Sequence, residues 1–238
     1  MRYLVILIFV LTSCKNSSDS KSKSKTLNEI HSQAILVDTH NDFLMQTMDK
    51  NYVFDTDLKG KTHSDLNRMK EGGVDVQFFS VFSDGDQLNP YNFANLQIDS
   101  MDAVIKRNPD KIVKVGISEE ILKTVKQQKI AALFGLEGGH QFENSLGNLE
   151  ALYNRGVRYI TLTWNNSTPW ATSAADETDP EGAKNSEGKN GLTAFGKEVV
   201  KKMNRLGIMV DISHVGEQTF WDVISTSTKP IIASHSSV

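Results

Sequence analysis

The sequence predicts an α/β fold, a (β/α)8 TIM barrel with only about six of its eight β/α units present. Three observations predict it. Apolar runs of β type alternate with segments of helical period, the pattern of a parallel sheet with crossover helices. Six such runs can be counted. Polar, chemistry-bearing side chains fall at their C-terminal ends, where barrels of this kind build their sites.

The candidate strands are "AILVDTH" (34–40), "VDVQFFSVF" (74–82), "KIAALFGLE" (129–137), "RYITLTW" (158–164), "IMVDISH" (208–214) and "PIIASH" (230–235). Between them, 193–206 reads as a helix with an apolar stripe of Phe195, Val199, Met203 and Leu206, capped by Thr193 and closed by Gly207. Leu146, Leu149, Leu152 and Tyr153 form a second stripe ending at Gly156. Ser118 opens a third helix, and Leu66 and Met69 mark a fourth before Gly72 and Gly73. The polar stretch 172–190 reads as a surface loop or lid after the fourth run. The chain stops at Val238, soon after the sixth run, whereas the full barrel takes about 250 residues. A C-terminally truncated piece of a longer protein is the expectation.

Composition bounds the class. Over 238 residues, 39% hydrophobic and 23% charged, the chain has material for a large core. A net charge of −3 and a pI near 6.1 give no basic field, so nucleic acid is excluded as an expected partner. At the N-terminus, Arg2 precedes the apolar stretch "YLVILIFVL", about half the ~20 residues that span a bilayer, and "LTSC" follows. That pattern resembles a lipoprotein signal over residues 1–13, with Cys14 as the lipidated first residue. Residues 14–27 read as a Ser/Lys-rich tether and 28–238 as the barrel domain. The expected location is the bacterial cell envelope, periplasm or outer membrane, through that anchor. Cys14 is the only cysteine, so a metal site elsewhere has to be built from histidines and carboxylates.

Those residue types stand at the run ends: His40 with Asp42 two positions on, Glu137, His214 and His235. Histidine nitrogen and carboxylate oxygen form the ligand set of zinc or a similar divalent ion. Five ligands exceed the number one tetrahedral ion takes, which points to two ions with Glu137 as bridge. A hydroxide held between two cations is available near neutral pH, so hydrolysis is the expected reaction class. Asp38 and Asp211 precede His40 and His214 and are candidates to orient those rings, although capping or backbone hydrogen bonding is an equal alternative.

"DTHND", "GLEGGH", "RYITLTWNNSTPW", "NRLGIMVDISHVG" and "ASHSS", in that order, resemble the membrane dipeptidase (renal dipeptidase) family of zinc peptidases, from about residue 34 to the end. The resemblance implies a binuclear zinc site cleaving dipeptides, with His40 and Asp42 on one ion, Glu137 bridging and catalytic, and His214 and His235 on the other. It leaves room for a homodimer. One position departs: the family carries a substrate-contacting histidine where this chain has Trp164, so either the Trp164 indole or the Asn165 amide is the expected substitute. The family's substrate-binding arginine and a further aspartate would lie beyond Val238, so this stretch of chain is expected to be inactive alone. Two rival readings are another amidohydrolase-type metal-dependent hydrolase and a non-catalytic peptide-binding lipoprotein.

Overall fold

The computed structural model describes residues 26–236. The proposed signal segment, Cys14 and the tether up to residue 25 lie outside the described residues. The short helix α1 (Leu27–Gln33) belongs to a unit of its own, ending at Gln33. Leu27 was expected in the tether, but a capping box starts a helix there: Glu29 N–H donates to Thr26 Oγ1 (3.3 Å) and Thr26 N–H to Glu29 Oε2 (2.7 Å).

The second unit starts at Ala34. Its elements are β1 (Val37–Asp38), α2 (Phe43–Lys50), α3 (Leu66–Glu71), β2 (Val76–Phe82), α4 (Pro90–Arg107), β3 (Ile112–Lys114), α5 (Ser118–Lys126), β4 (Ile130–Glu137), α6 (Leu146–Arg155), β5 (Val157–Thr161), α7 (Ala174–Thr178), α8 (Ala194–Leu206), β6 (Met209–Asp211), α9 (Glu217–Thr226) and β7 (Ile231–Ile232). A single 3-10 turn, Gly139–Phe142, follows β4. The strand pairings among these are all parallel, and the sheet runs β1-β2-β4-β5-β6-β7. These six are the predicted runs. Unpredicted β3 lies off the path, pairing with Ile130–Ala132 on the edge of β4 that β5 occupies from Phe134 onward. The sheet curls until the loops after β1 and β7 touch: Thr39 Oγ1 donates to the Ser234 carbonyl at 2.5 Å.

Two apolar layers follow from strand alternation. Phe79, Val81, Ala132, Phe134, Leu136, Ile160 and Val210 pack outward against the helices in the larger cluster. Val76, Phe78, Ala131, Leu133 and Tyr159 face inward in the smaller one, joined by Ile121 and Val125 of α5. The predicted stripes are core: Val199 and Met203 of α8 and Leu149 and Leu152 of α6 are fully buried. Thr193 caps α8 by accepting from Gly196 N–H, and Gly207 (φ +80°) closes it. The longest helix, α4, was not predicted, although Pro90 in its first turn and buried Ala94, Ile98, Met101 and Val104 carry its signal.

Most of the stretch 172–190 is exposed, as expected of a surface loop, with three buried exceptions. Thr172 and Ser173 are fully buried, α7 forms within it, and Asn185 is buried, donating to the Gly191 carbonyl (3.0 Å). Ser186 N–H donates to the Pro169 carbonyl (2.8 Å), which ties the segment to the chain that precedes it. Among the described residues no helix is long and apolar enough to cross a membrane.

Buried Asp65 caps α3 and ties it to Leu58. Its carboxylate accepts from Arg68 N–H (2.9 Å), Arg68 Nε (2.6 Å) and Leu58 N–H (3.2 Å). Burial works against its charged form, but the Arg68 and Leu58 bonds prevail and lower its pKa. A lowered folded pKa gives stability that is present above the unfolded value of about 3.9 and lost as pH falls through the folded one. Asp65→Asn is therefore expected to destabilise the fold at neutral pH by about 1–3 kcal/mol, with the difference shrinking below about pH 4. Urea melts at pH 7 and pH 3 check this; an equal difference at both would refute it.

Candidate metal centre

The five candidate ligands meet at the C-terminal mouth of the curled sheet. The first run was expected to end at His40, with Asp42 just beyond it. The structure corrects this, because β1 ends at Asp38 and both residues lie in the turn that follows. Asp42 stands at the N-cap of α2 but makes no side-chain cap bond, so its carboxylate is left to face the ring: His40 Nε2 to Asp42 Oδ1 is 3.1 Å.

Glu137 is the last residue of β4, level with Phe82 on β2 and Thr161 on β5, and is 4% exposed. Its two oxygens face different partners. Oε2 lies 3.2 Å from His40 Nε2 and accepts from Ser80 Oγ at 3.0 Å. Oε1 lies 3.1 Å from His214 Nε2 and 3.4 Å from His235 Nε2. The last two nitrogens are 2.8 Å apart, and the rings of His40 and His235 lie 3.7 Å apart between centroids.

His214 sits at φ +64°, a conformation that a residue with a side chain seldom adopts. Thr163 Oγ1 (3.2 Å) and Ala174 N–H (2.8 Å) both donate to its carbonyl and hold it there. Glycine is required at both Gly138 and Gly139 by the rings beside them. A Cβ at Gly139 would stand 2.5 Å from the Trp170 ring, and one at Gly138, whose φ is +105°, 2.4 Å from the His140 ring.

Charge follows the geometry. Burial opposes ionisation of Glu137, yet the bonds from His214, His235 and His40 hold its carboxyl far below the usual range. Burial likewise opposes a charged His40, but Asp42 and Glu137 overcome it and push its pKa up to about 9. The structure holds one anionic carboxylate among three imidazole nitrogens aimed at it. His40, Glu137 and His235 offer ligand atoms that all lie within 4.8 Å of one another. This donor set fits a divalent ion of borderline softness.

Trp164 stands beside the cluster, its ring 4.9 Å from Phe82 and 6.5 Å from His214 between centroids. Asn165 is exposed, and its carbonyl accepts from Ser173 Oγ at 2.7 Å. Neither predicted ring-orienting aspartate touches the ring it precedes. Asp38 Oδ1 accepts from the His40 backbone N–H (3.1 Å), and Asp211 accepts from Ser213, Ser234 and Thr161. Two contacts were not foreseen: Ser80 on Glu137, and the Tyr159 hydroxyl 2.9 Å from His40 Nδ1. Counting inward positions back by twos from the strand ends would have found both.

A parallel α/β barrel sheet with a His/carboxylate cluster at its mouth defines the class, that of the metal-dependent amidohydrolase barrels. Residues 24–238 match the membrane dipeptidase family (peptidase family M19), and the chain belongs to that family. It is 37% identical over 230 residues to an uncharacterised dipeptidase of Schizosaccharomyces pombe, covering 88% of this chain and 53% of the relative. The chain thus spans about half the length of the curated relative it matches. An amidohydrolase from Pseudomonas aeruginosa superposes with TM-score 0.68 at 27% identity, covering 87% of this chain and 55% of that one. A metallopeptidase from Rhodobacter sphaeroides, solved with a phosphinate mimic of the dipeptide L-Ala-D-Ala, superposes with TM-score 0.73 at 23% identity, covering 85% and 65%, and shares the fold.

Proposed function

We propose that the chain carries the metal centre of a dipeptidase that hydrolyses the peptide bond of dipeptides with two zinc ions. One observation carries the reading: Glu137 turns Oε2 to His40 and Oε1 to His214 and His235, as a carboxylate shared by two ions must. His40, Asp42 and Glu137 Oε2 would hold one ion, and Glu137 Oε1, His214 and His235 the other. Bound there, such a pair supplies a water-derived nucleophile near neutral pH and polarises a carbonyl.

The chain's own residues do the rest. Ser80 fixes Glu137 from below, so the carboxylate keeps its orientation without reorganising. Trp164 and Phe82 form an aromatic pair on the His214 side, where they would face a bound peptide. Asn165, exposed at the same rim, can donate to a substrate carbonyl. The resemblance of the motifs and the dipeptidase relative from Schizosaccharomyces pombe support peptides over other amides.

The test is hydrolysis of a simple dipeptide by protein produced from the complete reading frame. Activity is expected, lost on chelation and restored by zinc; a fully active chelated protein would overturn the metal reading, and turnover of lactones but not dipeptides would favour the wider amidohydrolase class. The proposal also places the protein on the cell envelope through Cys14. Cys14→Ser should shift it from the detergent phase to the aqueous phase on fractionation, and an unchanged partition would refute the anchor.

A further inference from the structure

Helix α7 has five residues, none of them buried, and a helix so short does not hold itself in place. It is fastened at both ends to the turn that carries His214. At its start, Ser173 forms an antiparallel bridge with Val215: Ala174 N–H donates to the His214 carbonyl (2.8 Å) and Gly216 N–H to the Thr172 carbonyl (3.0 Å). The Thr219 hydroxyl of α9 closes this side, donating to the Thr172 carbonyl (2.8 Å) and accepting from Thr172 N–H (3.2 Å).

At its far end, Glu177 reaches the N-terminus of α9. The N-cap of that helix is Gly216, which has no side chain to offer the first amides. Glu177 supplies the acceptor from 40 residues away: Oε2 accepts from Glu217 N–H and Oε1 from Gln218 N–H (3.2 Å). A carboxylate is also the group that the positive end of a helix favours. The space is kept for it. A Cβ at Gly216 would stand 2.5 Å from Glu177 Oε2, although the φ of −67° there suits any residue.

The neighbouring rim is tied to the same helix. Asp176 Oδ2 accepts from Ser167 N–H (2.7 Å), and Ser173 Oγ donates to the Asn165 carbonyl (2.7 Å). Helix α7 thus braces two loops of the site, the one after β5 with Trp164 and Asn165 and the one after β6 with His214. A residue with a side chain keeps a left-handed backbone only where its surroundings impose it, and at His214 the brace is part of those surroundings.

We propose that Glu177 is a positioning residue: by pinning α7 to the N-terminus of α9, it holds the His214 backbone in its left-handed conformation and so keeps the ring 3.1 Å from Glu137 Oε1. Its purpose rests on the two-ion reading, but the brace itself does not.

Zinc competition and amide hydrogen exchange on protein from the complete reading frame test this. Glu177→Ala is expected to weaken one of the two zinc ions by about 10-fold and to leave the other within two-fold. In the metal-free protein, exchange at the Ala174 and Gly216 amides, neither of which bonds to Glu177, should quicken by about 10-fold or more. Glu177→Gln keeps one acceptor oxygen and should show the same losses at smaller size, which covers the case in which the alanine variant does not fold. Asp65→Asn, which lowers stability elsewhere, should leave the ratio of the two zinc affinities unchanged. Equal weakening of both ions, or Ala174 and Gly216 amides as protected as in wild type, overturns the proposal. If wild type binds no zinc, the metal reading fails and the exchange rates still decide the brace.

Discussion

Glu137→Gln is expected to abolish dipeptide turnover, with kcat falling by on the order of 10³-fold or more. The amide keeps the shape of the side chain, and Ser80 can still donate to its oxygen. It cannot present an oxygen to both sides. One of its atoms becomes an N–H2 group facing either His40 Nε2 or the His214 and His235 pair, where the carboxylate oxygens now lie 3.1–3.4 Å from those nitrogens. One half of the centre then loses an anionic ligand and meets a donor instead. Metal content after dialysis, measured with the turnover, should fall from two ions toward one or none. Two retained ions with kcat within a few-fold of wild type would falsify the bridging role.

Gly135→Ala should be the most damaging single methyl group in the barrel. The inward face of β4 has no side chain at Gly135 because the Tyr159 ring crosses there: a Cβ would lie 1.9 Å from Tyr159 Cζ and 2.3 Å from the two flanking ring carbons. The ring has nowhere to go, being completely buried and tilted against Phe78 with centroids 5.4 Å apart. Overpacking of this kind costs about 1–3 kcal/mol or more, which in a chain of this size lowers the melting temperature by roughly 2–4 °C per kcal/mol. Thermal melts of Gly135→Ala, Tyr159→Leu and the double variant check the cause. The second change should relieve the first, giving a non-additive pair. Strict additivity would place the damage elsewhere.

The fold was legible where apolar runs were long. β2 and β4 are buried through almost their whole length, and their predicted bounds match to within two residues. β1 was overread because burial and pairing diverge there: Leu36 and Val37 are apolar but exposed, and only Val37 and Asp38 pair with β2. Three-residue β3 is too short to show alternation. α4 carried a readable stripe, masked by the polar residues Asn92, Asn95, Gln97 and Asp99 between its apolar positions.

The candidate ligands were legible because histidine and carboxylate side chains at strand ends have few other reasons to recur. The groups behind them were not. Asp211 stands three positions before His214, which suggested a local partnership, but the chain turns at Ser213 and sends the carboxylate toward β7. Of the two alternatives the spacing left open, backbone hydrogen bonding is the one the structure shows, at Ser213 N–H for Asp211 and His40 N–H for Asp38; the Ser234 contact comes from the returning strand.

The bond between Thr39 and Ser234 joins positions 195 apart, and the imidazoles next to them are just as distant. Closing so large a loop costs about 2 kcal/mol more entropy than joining partners ~20 residues apart. The centre is therefore expected to form late, after the intervening sheet has folded and removed most of that search. A cation arriving early finds only scattered imidazoles on a nascent chain. Capture of an ion by the proposed centre would thus report closure of the sheet and would not start it.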